Sequence, residues 1–283
     1  MWDSDAGEVW WIDARGQAIR SYRPRDNRSR SWDLQARVGS VALSAGNRVV
    51  CSMLEGFFEL RLDNAALSPL CLPEAGNTGV RFGEGRVDRQ GRYLSATVAP
   101  EGPPLGKLYV LDRDGSSRSL ESGLRIPNCL CFTPSGERMY LTDSTGSEIW
   151  CYDYDTQAAR LGNRRSFAST ALFGSEADGA AIDAEEHLWV ALVRCGKVAR
   201  FRPDGELDRV IDTPVPHPSS ICFGGDRLDV LYITTIADSG RTLRSEHPLS
   251  GALFALHGLG VAGVQERRYL GPSTEHLANR LAQ

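Results

Sequence analysis

The chain has 283 residues, is 41% hydrophobic and carries a formal net charge of −4. That is apolar enough for a sizeable core and too acidic for the basic stripe that a nucleic-acid partner requires. No stretch nears the roughly 20 apolar residues of a membrane helix, and "MWDSDAGEVWWID" at the start has no basic region followed by an apolar run, so a cytoplasmic location without a membrane partner is expected.

Six segments share one plan: an apolar or aromatic strand, a small or polar link, then a second strand. In chain order they are "EVWWIDARGQAIRSYRP", "RVVCSMLEGFFELRLD", "RYLSATVAPEGPPLGKLYVLDRDG", "RMYLTDSTGSEIWCYDYD", "HLWVALVRCGKVARFRPDG" and "VLYITTIADSGRTLRSEHPLSGALFALHG". Their equivalent positions are Trp10, Val50, Tyr93, Tyr140, Trp189 and Tyr232, spaced 40, 43, 47, 49 and 43 residues apart. Asp114-Gly115, Asp204-Gly205 and Pro134-Ser135-Gly136 carry turn chemistry. Helical periodicity is confined to the C-terminal "STEHLANRLAQ", with Ser273 as its cap.

Short strands grouped four per repeat of about 40 to 50 residues predict a β-propeller. Six repeats predict an all-β, six-bladed propeller forming one domain over residues 1–283, with 272–283 as a tail. Loops entering the inner strands then crowd one mouth of a central tunnel. Asp178-Gly179 falls on such a loop and is expected to face the axis. Propellers commonly close by pairing a strand from one terminus with the last blade, which removes a free edge. The seven cysteines are odd in number and lack a C-x-x-C pair, so they read as reduced, largely buried thiols. Cys129 and Cys131 share one strand face and are expected to pack in the core.

Several stretches are similar to one known family. "IPNCLCFTPSGERMYLTDS", "ADGAAIDAEEHLWVA", "RFGEGRVDRQGRYLSATV", "SSICFGGDRLDVLYITT" and "GALFALHGLGVAG" resemble five signatures of the SMP-30/regucalcin/gluconolactonase family and cover nearly the whole chain. The resemblance implies a six-bladed propeller that holds one divalent cation at its axial mouth and opens sugar lactones. It implies that Asn128 is a metal ligand, that Asp178 is a metal ligand and the general base, and that Arg81 faces substrate. Gly83 and Glu84 fall at the remaining substrate-binding positions. Oxygen donors of this kind suit Ca²⁺, Mg²⁺ or Mn²⁺, and Zn²⁺ is also open.

The chain departs from the family pattern in three places. The family's first blade begins with a Glu ligand shortly before a Trp; here Trp2 takes the Trp position and the Glu has no counterpart. This predicts that Met1 is an internal codon with the natural start upstream, the alternative being a diverged and inactive member. The family's R-x-N-D-G has Gly83 where the Asn belongs, and Glu84, one position along, is expected to point elsewhere. The loop before Leu108, "APEGPPLGK", is short. Asp143 reads as a loop stabiliser rather than a ligand, and the five histidines as loop or surface residues. Gly258 to Gly263 match G-x-G-x-x-G, but without a βαβ context they do not indicate nucleotide binding.

The expected function is a divalent-metal-dependent lactonase acting on a small sugar lactone, as a monomer or weak homo-oligomer. A phosphotriesterase-like propeller hydrolase and a non-catalytic scaffold are the alternatives, because fold alone does not choose among them.

Overall fold

A computed structural model describes residues 1–274. The strands fall into six antiparallel sheets, each a meander contiguous in sequence. The first is β1 (Trp2–Asp3), β2 (Glu8–Asp13), β3 (Ala18–Arg23) and β4 (Arg28–Asp33). The second is β5 (Val38–Leu43), β6 (Arg48–Met53), β7 (Gly56–Arg61) and β8 (Leu67–Cys71). The third is β9 (Arg81–Val87), β10 (Tyr93–Val98), β11 (Gly106–Leu111) and β12 (Ser117–Leu124). The fourth is β13 (Pro127–Phe132), β14 (Arg138–Asp143), β15 (Glu148–Asp155) and β16 (Arg160–Ser169). The fifth is β17 (Ala177–Ile182), β18 (Leu188–Leu192), β19 (Lys197–Phe201) and β20 (Leu207–Asp212). The sixth is β21 (Pro218–Gly224), β22 (Val230–Thr235) and β23 (Leu253–Leu256).

The molecule is a six-bladed β-propeller, as the repeats predict. All six equivalent positions, from Trp10 to Tyr232, lie on the second strand of a blade. The reason is burial. Second strands are covered on both faces by neighbouring blades, so they read as continuous apolar runs such as Leu188–Leu192, every residue of which is buried. The outermost strands are wet and carry charge, as in the exposed Arg28, Ser29 and Ser31 of β4, which blunts the sheet edge. Gly115, Gly136 and Gly205 close hairpin turns at φ of 88°, 81° and 90°, a region that favours glycine.

Six buried apolar clusters hold the ring, one at each junction between adjacent blades. Trp10, Ile19 and Trp32 pack on Val38, Val49 and Leu60 between the first and second blades. The ring closes where Trp2 and Val9 meet Cys222, Val230 and Tyr232. Trp2 stacks on Tyr232 at 5.5 Å between ring centroids. A Cβ on Gly224 would lie 2.6 Å from the Trp2 ring, so only glycine admits the indole there.

The strand pairing by which propellers commonly close is absent among the described residues. No strand from the start of the chain joins the sixth sheet, which has three strands among the described residues. Instead, residues 262–270 strap the lower face. The Ala184 amide donates to the Ala262 carbonyl at 2.8 Å and the Gly263 amide to Leu228 at 2.8 Å. The Tyr269 amide donates to Leu43 at 2.7 Å and the Leu270 amide to Gly91 at 2.9 Å. Arg268 reaches Asp3 at 2.5 Å and Asp5 at 2.9 Å. Buried Tyr269 packs among Ala42, Val50 and Phe57 and donates its hydroxyl to Asp112. The strap thus contacts five blades. The helix expected over 273–283 lies almost entirely outside the described residues. Among those residues no helix is long and apolar enough to cross a membrane.

All seven cysteines are free, and five are buried. Cys129 and Cys131 sit in one apolar cluster with Cys151 and Phe201, in line with the packing role read from the sequence.

Candidate functional site

The inner strands share one irregularity. Their pairing with the second strand shifts register between Val38 and Ser40 in β5, between Asn128 and Cys131 in β13, between Ala177 and Ala180 in β17, and between Pro218 and Ser220 in β21. In β9 the break falls between Phe82 and Gly85. Each break lies near the start of its strand, at the same end of the tunnel. A bulge frees residues from the ladder and re-aims their side chains. The freed residues include Gly83, Glu84, Cys129, Asp178 and Ser219. Asp178 is therefore not on a loop leading to the inner strand but within that strand, at its bulge.

Tight packing explains the glycine after Asp178. A Cβ on Gly179 would lie 2.7 Å from Ser220 Cα on the next inner strand. A Cβ on Gly39 would likewise lie 2.5 Å from the Phe82 carbonyl carbon. The inner strands touch backbone to backbone, and that proximity lets residues from different blades face one small space.

Asn128 is held by a relay. Its Nδ2 donates to Ser144 Oγ at 2.9 Å, and Ser144 Oγ donates to the Ala177 carbonyl at 2.6 Å. The amide oxygen has no donor among the described residues and remains available to a ligand. Asp143 fixes the preceding loop by accepting the Arg125 amide at 2.7 Å and the Ile126 amide at 3.1 Å, which is the loop-stabilising role expected of it.

The Asp178 carboxylate has no hydrogen-bond or ion-pair partner among the described residues. Burial, then the nearby charges of Glu84 and Glu176, push its pKa well above the usual carboxylate range. Glu84 is pushed up to about 7, mainly by burial. Arg86 and the Met1 ammonium oppose that shift, while Glu266 adds to it. After burial, Glu84 is the strongest charge acting on Asp178. The Met1 ammonium donates to the Trp10 carbonyl at 2.8 Å.

Arg81 opens β9 at the mouth, and its Nη1 donates to the Phe82 carbonyl at 3.2 Å. Burial, then Arg37 and Arg241, press its pKa down to about 10. Gly83 lies outside the left-handed region, and a Cβ there would meet Val98 Cγ1 at 3.1 Å.

Sequence reading missed three contributors. Ser144 orients Asn128; it stands in the "LTDS" motif but looks there like any loop serine. Arg86 bridges blades below Glu84, donating to the Leu130 carbonyl at 3.2 Å, to the Ala180 carbonyl and to Glu266. Its position two residues after Glu84 was the only sequence signal. Cys129 lies in the left-handed region at φ 60°, with its buried thiol close enough to Glu84 and Asp178 to feel both charges.

A second group of potential ligands, Asp183, Glu185 and His187, lies at the far end of β17, about 16 Å from Asp178 along the strand. Asp183 is already satisfied. It accepts the amides of Glu185 and His187, each at 2.9 Å, the Trp189 indole at 2.8 Å and the Arg200 guanidinium at 2.7 Å. Asp88 does the same in the third blade, binding the Gln90 and Arg92 amides, the Arg92 guanidinium and the Tyr154 hydroxyl. The repetition marks a hairpin lock rather than a metal centre.

A six-bladed propeller with unpaired oxygen donors gathered at bulges near one mouth is the class these features define. The chain belongs to the SMP-30/Gluconolactonase/LRE-like family, whose sequence profile matches residues 1–237. It is 28% identical to regucalcin of Xenopus laevis over 279 residues, covering 96% of this chain and 93% of that protein. Among solved structures, it is similar to a luciferin-regenerating enzyme with a TM-score of 0.86 at 26% identity, covering 94% of this chain and 92% of the other. A calcium-binding regucalcin from Agrobacterium tumefaciens shares the fold with a TM-score of 0.88 at 22% identity, covering 95% and 91%.

Proposed function

We propose that the protein is a divalent-cation-dependent lactonase that opens a sugar-acid lactone to the free acid. The unpartnered Asp178 carboxylate at its bulge near the mouth, with the charge of Glu84 acting on it, carries this reading. Two desolvated carboxylates without a counter-cation are costly, and a bound dication offsets that cost. Asn128 Oδ1, Asp178 and Glu84 would hold the ion, and their hard oxygen donors suit Ca²⁺, Mg²⁺ or Mn²⁺, with Zn²⁺ also accommodated. When bound, the cation polarises the lactone carbonyl and makes a neighbouring water more acidic.

The chain's own residues supply the rest. Asp178 takes a proton from the attacking water as the water oxygen bonds to the carbonyl carbon. The ring C–O bond then breaks, and the proton passes to the departing ring oxygen, leaving a hydroxy acid. Arg81, at the rim, faces the bound substrate. The relay from Asn128 through Ser144 to Ala177 keeps the amide oxygen aimed inward. The family membership and the likeness to regucalcin support this assignment.

The test is a pH-stat assay on fresh gluconolactone with chelator-treated protein, before and after adding Mn²⁺, Zn²⁺ or Ca²⁺. Ring opening should accelerate above the spontaneous rate on cation addition. Rates equal to the spontaneous one, with no cation-induced thermal shift, would instead indicate a scaffold.

A further inference from the structure

Arginines in this protein are of two kinds. Arg92, Arg200 and Arg86 are each fastened by several hydrogen bonds. Arg92, for example, binds Asp88 and the carbonyls of Thr156 and Gln157. Those at the mouth are not fastened in this way. Arg81 donates only to its neighbour's carbonyl, and Arg37 has no hydrogen bond or ion pair among the described residues.

Three features bring Arg37, Arg81 and Arg241 to one rim. Arg37 immediately precedes β5, whose Gly39 lies against the Phe82 and Gly83 backbone of β9; Arg81 is the first residue of β9. Val98, paired with Arg81 across the sheet, leads into the loop that carries Glu101. Arg241, on the long connection between β22 and β23, crosses from the sixth blade to that loop of the third and meets Glu101 at 3.3 Å. Arg194 of the fifth blade steadies the same connection through Thr242 at 3.4 Å. Arg37 and Arg241 are also the two charges that Arg81 feels most strongly.

Three guanidiniums gathered with only one carboxylate partner, Glu101 on Arg241, repel one another. The single pair, Arg241 with Glu101, joins side chains that are 41% and 88% exposed, so it is weak and easily displaced. Guanidinium forks recognise carboxylate and phosphate in a planar, bidentate manner. A cation held lower in the tunnel would neutralise Glu84 and Asp178 and leave this rim the dominant field at the mouth.

We propose that the substrate is an anionic lactone, one whose sugar chain ends in a carboxylate or a phosphate that Arg37, Arg81 and Arg241 bind while the lactone carbonyl sits at Asp178. The proposal rests on the lactonase assignment and specifies its substrate class. The anion enters by the rim and its charged end stays there.

The experiment compares kcat/KM for neutral gluconolactone, a phosphorylated gluconolactone and a lactone of an aldaric acid, using the cation-loaded full-length chain. At least one anionic lactone should exceed the neutral one by about tenfold or more, the size of one charge-assisted hydrogen bond. The phosphate and carboxylate arms identify which anion is bound. Raising ionic strength should lower kcat/KM selectively for the anionic substrate. In Arg241→Gln and in Arg37→Gln, the anionic-to-neutral ratio should fall about tenfold, with a thermal melt confirming that each variant folds. Turnover of the neutral lactone with no anionic preference and no selective salt effect would overturn the proposal and leave the lactonase assignment standing. Failure to open any of the three would remove the lactonase assignment, and the proposal with it.

Discussion

Asp178 and Glu84 are expensive residues for a propeller interior. Both carboxyls are pushed upward chiefly by burial, so each disfavours the folded chain when ionised and unpaired. Asp178→Asn should therefore stabilise the cation-free protein by about 1 kcal/mol while lowering kcat/KM by about 10²- to 10⁴-fold. Thermal scanning and pH-stat kinetics on the same preparation read the two effects. Glu84 supplies a pH dependence of definite sign. Its folded pKa of about 7 lies above its ordinary 4.5, so the folded state holds this proton more tightly than the unfolded chain. The resulting stabilisation is complete below the ordinary value and is lost as pH rises through about 7. Denaturant titration of cation-free protein should show stability falling by up to about 3 kcal/mol between pH 5 and pH 8. Glu84→Gln should flatten that fall; an unchanged slope would show that other groups cause it. At Gly83 an added Cβ would lie 3.1 Å from Val98 Cγ1, a tight contact that a shift of a few tenths of an ångström in the valine side chain relieves. Gly83→Asn should fold, and one new hydrogen bond to substrate should raise kcat/KM by about two- to tenfold.

At the scale of the element, the inner strand and its bulge do the positioning. The bulge turns Asp178 out of the pairing ladder and begins directly after Asn128, and glycine beside the bulge lets one inner strand lie directly on the next. Gly179→Ala tests this coupling. Its Cβ would press on Ser220 Cα at 2.7 Å, so β17 must move away from β21. The expected cost is about 1–3 kcal/mol in urea unfolding, accompanied by weaker cation binding in calorimetry because Asp178 moves with its strand. Normal stability in this variant would mean that the two strands are not held as closely as the geometry indicates. The far ends of the strands serve a different purpose: Asp88 and Asp183 lock their hairpins with backbone amides and arginine. One strand therefore carries an unsatisfied carboxylate at one end and a fully satisfied one at the other.

For the whole molecule, the critical junction is that between the first and last blades. Five junctions join blades consecutive in sequence, whereas the sixth brings together residues more than 200 positions apart, Trp2 and Tyr232. Trp2 fills that junction, and the strap from Ala262 to Leu270 supports it from below. Trp2→Ala should cost about 3–5 kcal/mol and lower the thermal midpoint by roughly 5–15 °C. Arg268 binds Asp3 and Asp5 on the same blade, so opening this junction also loosens the strap. A midpoint within a degree or two of the parent would place ring closure in the strap alone.

Much of this was legible in the residues. The period of about 40 to 50 residues, the apolar second strands and the turn glycines determined a six-bladed propeller, because burial between two blades imposes one pattern on every repeat. The motifs around Asn128, Asp178 and Arg81 pointed to one mouth. What the chain could not reveal was direction and company. Whether Glu84 faces Asp178 depends on a bulge that shifts side-chain alternation. Arg37 and Arg241 lie far along the chain from Arg81, and a last blade with three strands among the described residues, braced by a strap, depends on contacts spanning some 200 residues. Local sequence encodes which positions are buried; only the closed ring decides which distant charges meet, because no short-range periodicity records a neighbour from another blade.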